Sequence, residues 1–145
     1  MKFASFIKSA SIVSLIVIGG TSVQAGGNSV RLDQWGQDHA IGASQYGSRN
    51  RLSVEQNGYA NTTINMQDGH RNRTVVGQHG RHNEAYGNQQ GRCNVMGIAQ
   101  FGRGNLADVD QRGRCNAIGV IQSGRGNTAT TTQHGRGNVT VIVQD

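Results

Sequence analysis

Residues 94–111 read NVMGIAQFGRGNLADVDQ and residues 116–133 read NAIGVIQSGRGNTATTTQ. Written one above the other they agree in Asn, Gln and Gly at an offset of 22, and each divides again into halves of 11. Followed outward, the same glutamine recurs at Gln34, Gln45, Gln56, Gln67, Gln78, Gln89, Gln100, Gln111, Gln122, Gln133 and Gln144, without one insertion or deletion. Glycine stands two residues after the first ten of these, at Gly36, Gly47, Gly58, Gly69, Gly80, Gly91, Gly102, Gly113, Gly124 and Gly135. Asparagine precedes the glutamine by six, at Asn28, Asn50, Asn61, Asn72, Asn83, Asn94, Asn105, Asn116, Asn127 and Asn138, with His39 the single exception. A period held this strictly marks a repeat architecture, not the irregular spacing of a globular domain.

A period of 11 also suits a right-handed coiled coil. Here a glycine at a fixed place in each unit would interrupt such a helix, at a cost of roughly 1 kcal/mol each. The segments between glycines are instead rich in Val, Ile and Thr in alternation, the pattern of strands. The run from Gln through Gly to the next Asn is expected to supply the turn, since Gly tolerates positive φ and Asn bonds locally. Eleven strands follow, from Asn28–Gln34 to Asn138–Gln144.

Because side chains alternate across a strand, Asn, two apolar positions and Gln share one face, which must be the interior. Odd-numbered strands put larger residues there, such as Leu52 and Val54, Met96 and Ile98, or Ile118 and Val120. Even-numbered strands put mostly smaller ones, such as Ala85 and Gly87 or Ala107 and Val109. Two units then make one 22-residue coil, and the expected fold is all-β: a thin two-sheet β-solenoid, amyloid-like in its cross-β stacking. Coils stack at about 4.8 Å. Buried amides, costly alone, would each donate to the copy above and accept from the copy below.

Residues 1–25 read as a secretory signal peptide: Lys2 and Lys8, an apolar run from Ile12 to Ile18, and small residues ending in Ala25. That run is too short to span a bilayer, and nothing later resembles a membrane helix. The expected mature domain, 26–145, holds repeats at 28–45, 50–67, 72–89, 94–111 and 116–133 and a half-repeat at 138–144. It carries 12 Arg and no Lys against 8 Asp and Glu, a modest positive charge. Aromatics make up only 5% and there is no Pro, so a narrow repetitive core suits the composition and a bulky globular one does not.

The pattern Ser-x5-Gln-x-Gly-x-x-Asn-x-Ala-x3-Gln is the curlin repeat, and this chain resembles the curlins, subunits of curli fibres, over essentially all of 26–145. Asn94 to Gln111 carries Gln100, Gly102, Asn105, Ala107 and Gln111 in place, and Ala85 and Ala129 recur in two further units. Asn replaces the leading Ser in most units, and His39 replaces one turn Asn. The resemblance implies Sec export, passage of an unfolded chain through an outer-membrane curli secretion machinery, and nucleated assembly at the cell surface. It also implies partnership with another curli subunit and a role in biofilm matrix and adhesion, as the major subunit or the nucleating minor one. No cofactor is implied.

Arg81, Arg92, Arg103, Arg114, Arg125 and Arg136 each follow a repeat glycine, forming two ladders on opposite edges. The simpler reading is gatekeeping, charge that slows premature aggregation during export. The sharper one is an anionic partner such as DNA, acidic polysaccharide or lipopolysaccharide. Cys93 and Cys115, 22 apart at the same position of the unit, should stack within disulfide range in an exported chain, with a free thiol pair as the alternative. No recognisable triad or carboxylate pair points to an enzyme. The five His lack metal-ligand spacing. Outward residues change from Ser29, Arg31 and Asp33 to Val139, Val141 and Val143, so contacts between copies are expected at the C-terminal end. Open strand edges at both ends make a homopolymer the expectation. A capped ice-binding solenoid would want a broader outward Thr array than Thr128, Thr130 and Thr132, and end caps.

Overall fold

The computed structural model describes residues 14–17 and 26–145. The expected leader, 1–25, lies outside the described residues apart from a short strand, β1 (Ser14–Val17), which pairs in parallel with β3. Eleven further strands follow: β2 (Ser29–Gln37), β3 (Ala40–Ser48), β4 (Arg51–Tyr59), β5 (Thr62–His70), β6 (Arg73–Arg81), β7 (Glu84–Arg92), β8 (Val95–Arg103), β9 (Leu106–Arg114), β10 (Ala117–Arg125), β11 (Thr128–Arg136) and β12 (Val139–Gln144). Among the described residues no helix is long and apolar enough to cross a membrane.

Even-numbered strands form one parallel sheet, in the order β12-β10-β8-β6-β4-β2, and odd-numbered strands the other, β1-β3-β5-β7-β9-β11. Every pairing from β2 to β12 joins residues 22 apart, so Gln122 stands beside Gln100 and Gly124 beside Gly102. The expected two-sheet β-solenoid with 22-residue coils is therefore the fold. Counted in repeat units, leaving β1 aside, the first sheet holds six of the eleven and is taller by one rung than the second, and β12 projects beyond β11.

Alternation puts the core where the pattern placed it. Leu52, Val54, Val76, Met96, Ile98, Ile118 and Val120 of the taller sheet pack against Ile41, Ala43, Ala85, Ala107, Val109 and Ala129 of the other. Asn65 falls in the same layer, is 2% exposed, and has neither side-chain atom hydrogen-bonded. Gly87 on the next rung makes room for it: a Cβ there would lie 2.4 Å from Asn65 Nδ2 and 2.8 Å from Met96 Sδ.

The turns differ from the sequence expectation. The strands run past Gln through Gly, so the repeat glycines, expected in the turn, lie in extended chain with φ from +89° to +125°. Stacking explains them: from Gly36 to Gly113, a Cβ would sit 1.9–2.1 Å from the carbonyl oxygen of the glycine one rung on. The reversal itself falls two residues later, at a left-handed position held by Asp38, Arg49, Ala60, Arg71, His82, Cys93 and Cys115 (φ 51–58°), then by Gly104, Gly126 and Gly137. Backbone bonds between rungs continue through this corner, as in Cys115 N to Arg92 O at 2.8 Å.

These two glycine positions predict different sensitivities. Gly102→Ala, whose Cβ would meet Gly124 O at 2.0 Å, should lower unfolding stability by more than about 2 kcal/mol. Gly104→Ala, at φ +66° with nothing within 4 Å, should cost about 1 kcal/mol. Denaturant midpoints of the two variants check the order.

Candidate functional site

Glutamine lies at the sixth residue of each strand, pointing inward near its end, and its long amide reaches in two directions. In the taller sheet Nε2 of Gln34, Gln56, Gln78, Gln100 and Gln122 donates to Oε1 of the glutamine one rung on, at 2.8–2.9 Å. In the other sheet Gln45, Gln67, Gln89 and Gln111 do the same, at 2.6–3.0 Å. The second N–H crosses the core to the opposite sheet. Gln78 donates to Thr62 O at 3.0 Å, Gln100 to Glu84 O at 2.9 Å and Gln122 to Leu106 O at 2.9 Å. Thr63 and Thr74 join the network, donating to Gln78 Oε1 and Gln89 Oε1 at 3.0 and 2.9 Å. From Gln56 to Gln122 every repeat glutamine is fully buried with its amide satisfied, which is what makes burial tolerable.

Asparagine behaves otherwise. The expected amide-to-amide ladder is not what the columns form. Each Asn Oδ1 instead accepts from the backbone N–H of the next Asn, as in Asn72 Oδ1 from Asn94 N at 3.1 Å. Its Nδ2 donates to backbone carbonyls, those of Asp68 and Gly91 at 3.0 and 3.1 Å in the case of Asn72. The shorter side chain sits beside the left-handed corner, where unpaired carbonyls converge, and caps them. His39 makes equivalent bonds: Nε2 donates to Trp35 O at 3.0 Å and Nδ1 accepts from Asn61 N at 3.2 Å. That pair of contacts fixes its neutral tautomer.

All the glutamine side-chain bonds between rungs point one way. At the C-terminal end Gln133 and Gln144 close the columns with no glutamine ahead of them; Gln133 Nε2 donates to Ala117 O and Thr140 Oγ1, and Gln144 Nε2 to Thr128 O. At the other end Gln34 and Gln45 are the first, and no hydrogen bond among the described residues reaches their Oε1 atoms. Among the described residues the backbone edges of β12 and β11 are likewise unpaired there. The two ends are complementary in donor and acceptor.

The corners carry the charge. After the taller sheet's strands come Arg81, Arg103 and Arg125, and after the other sheet's strands Arg92, Arg114 and Arg136. The second edge holds four arginines that the spacing argument passed over, Arg49, Arg51, Arg71 and Arg73, which line a groove of about 490 Å³. They were missed because two occupy the left-handed corner and two the first strand position. Only sorting the units by sheet brings them together. Desolvation, and then Arg71, Arg92 and Arg49, hold the His70 imidazole below its ordinary range. Among the described residues the arginine ion pairs are Arg31 with Asp33 and Arg112 with Asp110, both 2.8 Å and both on outer faces. Cys93 and Cys115 occupy this same edge on adjacent rungs and are joined by a disulfide, with Cα atoms 4.6 Å apart.

The crosslink closes a 22-residue loop, one whole coil. Reduction, or Cys93→Ser with Cys115→Ser, should lower stability by about 3 kcal/mol through the freed unfolded chain. Equilibrium unfolding with and without reductant measures it.

Against known proteins, a family model described as the curlin associated repeat matches residues 102–135. No curated protein and no solved structure matches the chain. The matched stretch runs from the end of β8 to the end of β11, three of the eleven units with their corners. Its Gln, Gly and Asn positions are those that recur along the two sheets, so the described chain is a β-solenoid that carries the curlin associated repeat at residues 102–135.

Proposed function

We propose that this chain is a structural subunit of extracellular curli-like amyloid fibres, the major subunit or its nucleator, that serves biofilm matrix and surface attachment. The observation that carries the reading is the direction of the glutamine ladders. The columns end on Gln133 and Gln144 at one end and on the Oε1 acceptors of Gln34 and Gln45 at the other, and the strand edges beside them are open except that of β3, which β1 covers. A second copy added head to tail continues both ladders and both sheets. β12 stands one rung beyond β11, so the C-terminal end is stepped and its notch takes one strand of the next subunit. The curlin repeat at residues 102–135 supports extracellular assembly of this kind. Removal of the expected leader would uncover the edge of β3 that β1 occupies.

Purified chain lacking residues 1–25 should polymerise after a lag, bind thioflavin T and give fibre reflections near 4.7 and 10 Å. A persistent monomer without cross-β reflections overturns the reading and favours a capped solenoid.

A second reading, compatible with the first, is supported by the uneven sharing of charge. Arg49, Arg51, Arg71, Arg73, Arg92, Arg114 and Arg136, seven of 12 arginines, lie along one narrow edge. Repetition at rung spacing makes this edge a linear cation matching an acidic polymer. Binding of heparin, as a sulfated probe, to preformed fibres should weaken steeply between 50 and 200 mM salt, by analogy with counterion release on about 10³-fold scales. Replacing Arg71 and Arg92 by Ser should flatten that dependence. Salt-indifferent binding would leave gatekeeping as the role of the ladders.

A further inference from the structure

The outer face of the taller sheet divides into two halves. On β4 its first and fifth positions are Arg51 and Glu55, both exposed. From β8 onward these outward positions carry no charge: Val95, Gly97 and Ala99 on β8, and Ala117, Gly119 and Ile121 on β10. On β12, Val139, Val141 and Val143 are 73%, 67% and 62% exposed. Three adjacent strands thus present a flat apolar surface whose middle row is Gly97, Gly119 and Val141.

We infer that this face is a lateral interface, seated on the same face of a second copy in a neighbouring filament; the inference rests on the polymerisation proposed above. The argument is self-complementarity. A two-fold axis along the solenoid, passing over the middle row, sets the strands of the two copies antiparallel and brings first positions opposite fifth positions on the same rung. Arg51 of each copy then faces Glu55 of the other. Ala117 faces Ile121, small against large, and Val95 faces Ala99. The middle row meets itself, and Gly97 and Gly119 allow the sheets to approach. Arg31 of β2 comes to this row already paired with Asp33 at 2.8 Å. Glu55 has a second neighbour, His79 Nε2 at 3.8 Å on its own sheet. No other two-fold placement opposes the lone arginine of β4 to its lone carboxylate.

Size decides what kind of copy binds. Three strands about 4.8 Å apart and five residues at about 3.3 Å give a footprint of roughly 200–250 Å². Stable complexes of separate proteins bury about 800 Å² per partner. One subunit cannot hold another by this face, but a filament repeats it along its length, and linked weak contacts add through effective concentration. Filaments therefore associate where free subunits do not. The Arg51–Glu55 pairs, at the rim, set register and polarity more than affinity.

The test is mass per length of fibres assembled in vitro, by scanning transmission electron microscopy. Wild-type fibres are expected at two or more times the value of one solenoid filament. Ile121→Lys with Val141→Lys, both on the outer face and clear of the core, should give single filaments, at least a twofold fall, with cross-β diffraction unchanged. Arg51→Glu should shift fibres the same way, and Arg51→Glu with Glu55→Arg should restore pairing. Wild-type fibres of single-filament mass, or lysine variants as thick as wild type, overturn this inference alone. Absence of any cross-β fibre overturns the polymerisation reading and this one with it.

Discussion

An amide hydrogen bond between one glutamine and its copy 22 residues on is the contact on which the rest of this molecule depends. It works only if the sheets are parallel and in register, since a slip of one residue would turn every glutamine outward. The same side chain donates across the core to the opposite sheet, as Gln100 does to Glu84 O, so one residue type fixes both the height of the rung and the spacing of the two layers. An interior this thin holds few large apolar residues, and Met96 is the largest side chain fully buried in it. Polar satisfaction therefore carries a share of specificity that bulk carries in a globular core. A buried amide deprived of its partner costs about 1–3 kcal/mol, so the columns penalise any chain that stacks out of step.

The corners obey a second constraint. At the repeat glycines two backbones approach so closely that no side chain fits, and the chain then turns through a left-handed residue. Asparagine stands next, bonded to carbonyls on its own corner and on the next rung, so capping and stacking are one act. His39 shows what the position requires: an acceptor toward the next rung and a donor toward the preceding turn. An imidazole supplies both.

The fold was legible because its period is exact in number and its inward positions alternate. Gln, Gly and Asn needed no partner outside the repeat to be recognised, and the pairing of Cys93 with Cys115 lies in the same arithmetic. Other features stayed hidden for physical reasons. The left-handed corner is filled by Asp38, Ala60, His82 and arginines that share no chemistry, because stacking holds the conformation there regardless of side chain. The role of asparagine as a cap, not a rung of a ladder, depends on where carbonyls converge, which spacing does not show. The arginine groove draws on two positions of the unit and on one sheet's corners only. The orphaned amide of Asn65 opposite Gly87 is a property of two rungs together.

Register every 22 residues also bears on how such a chain changes over generations. Duplication of one whole coil hands each new glutamine a waiting neighbour above and below, so the protein lengthens or shortens in steps of a coil without redesign. Insertion of a single residue has the opposite fate, because it shifts every column beyond it. Length is free to drift here, while phase is not.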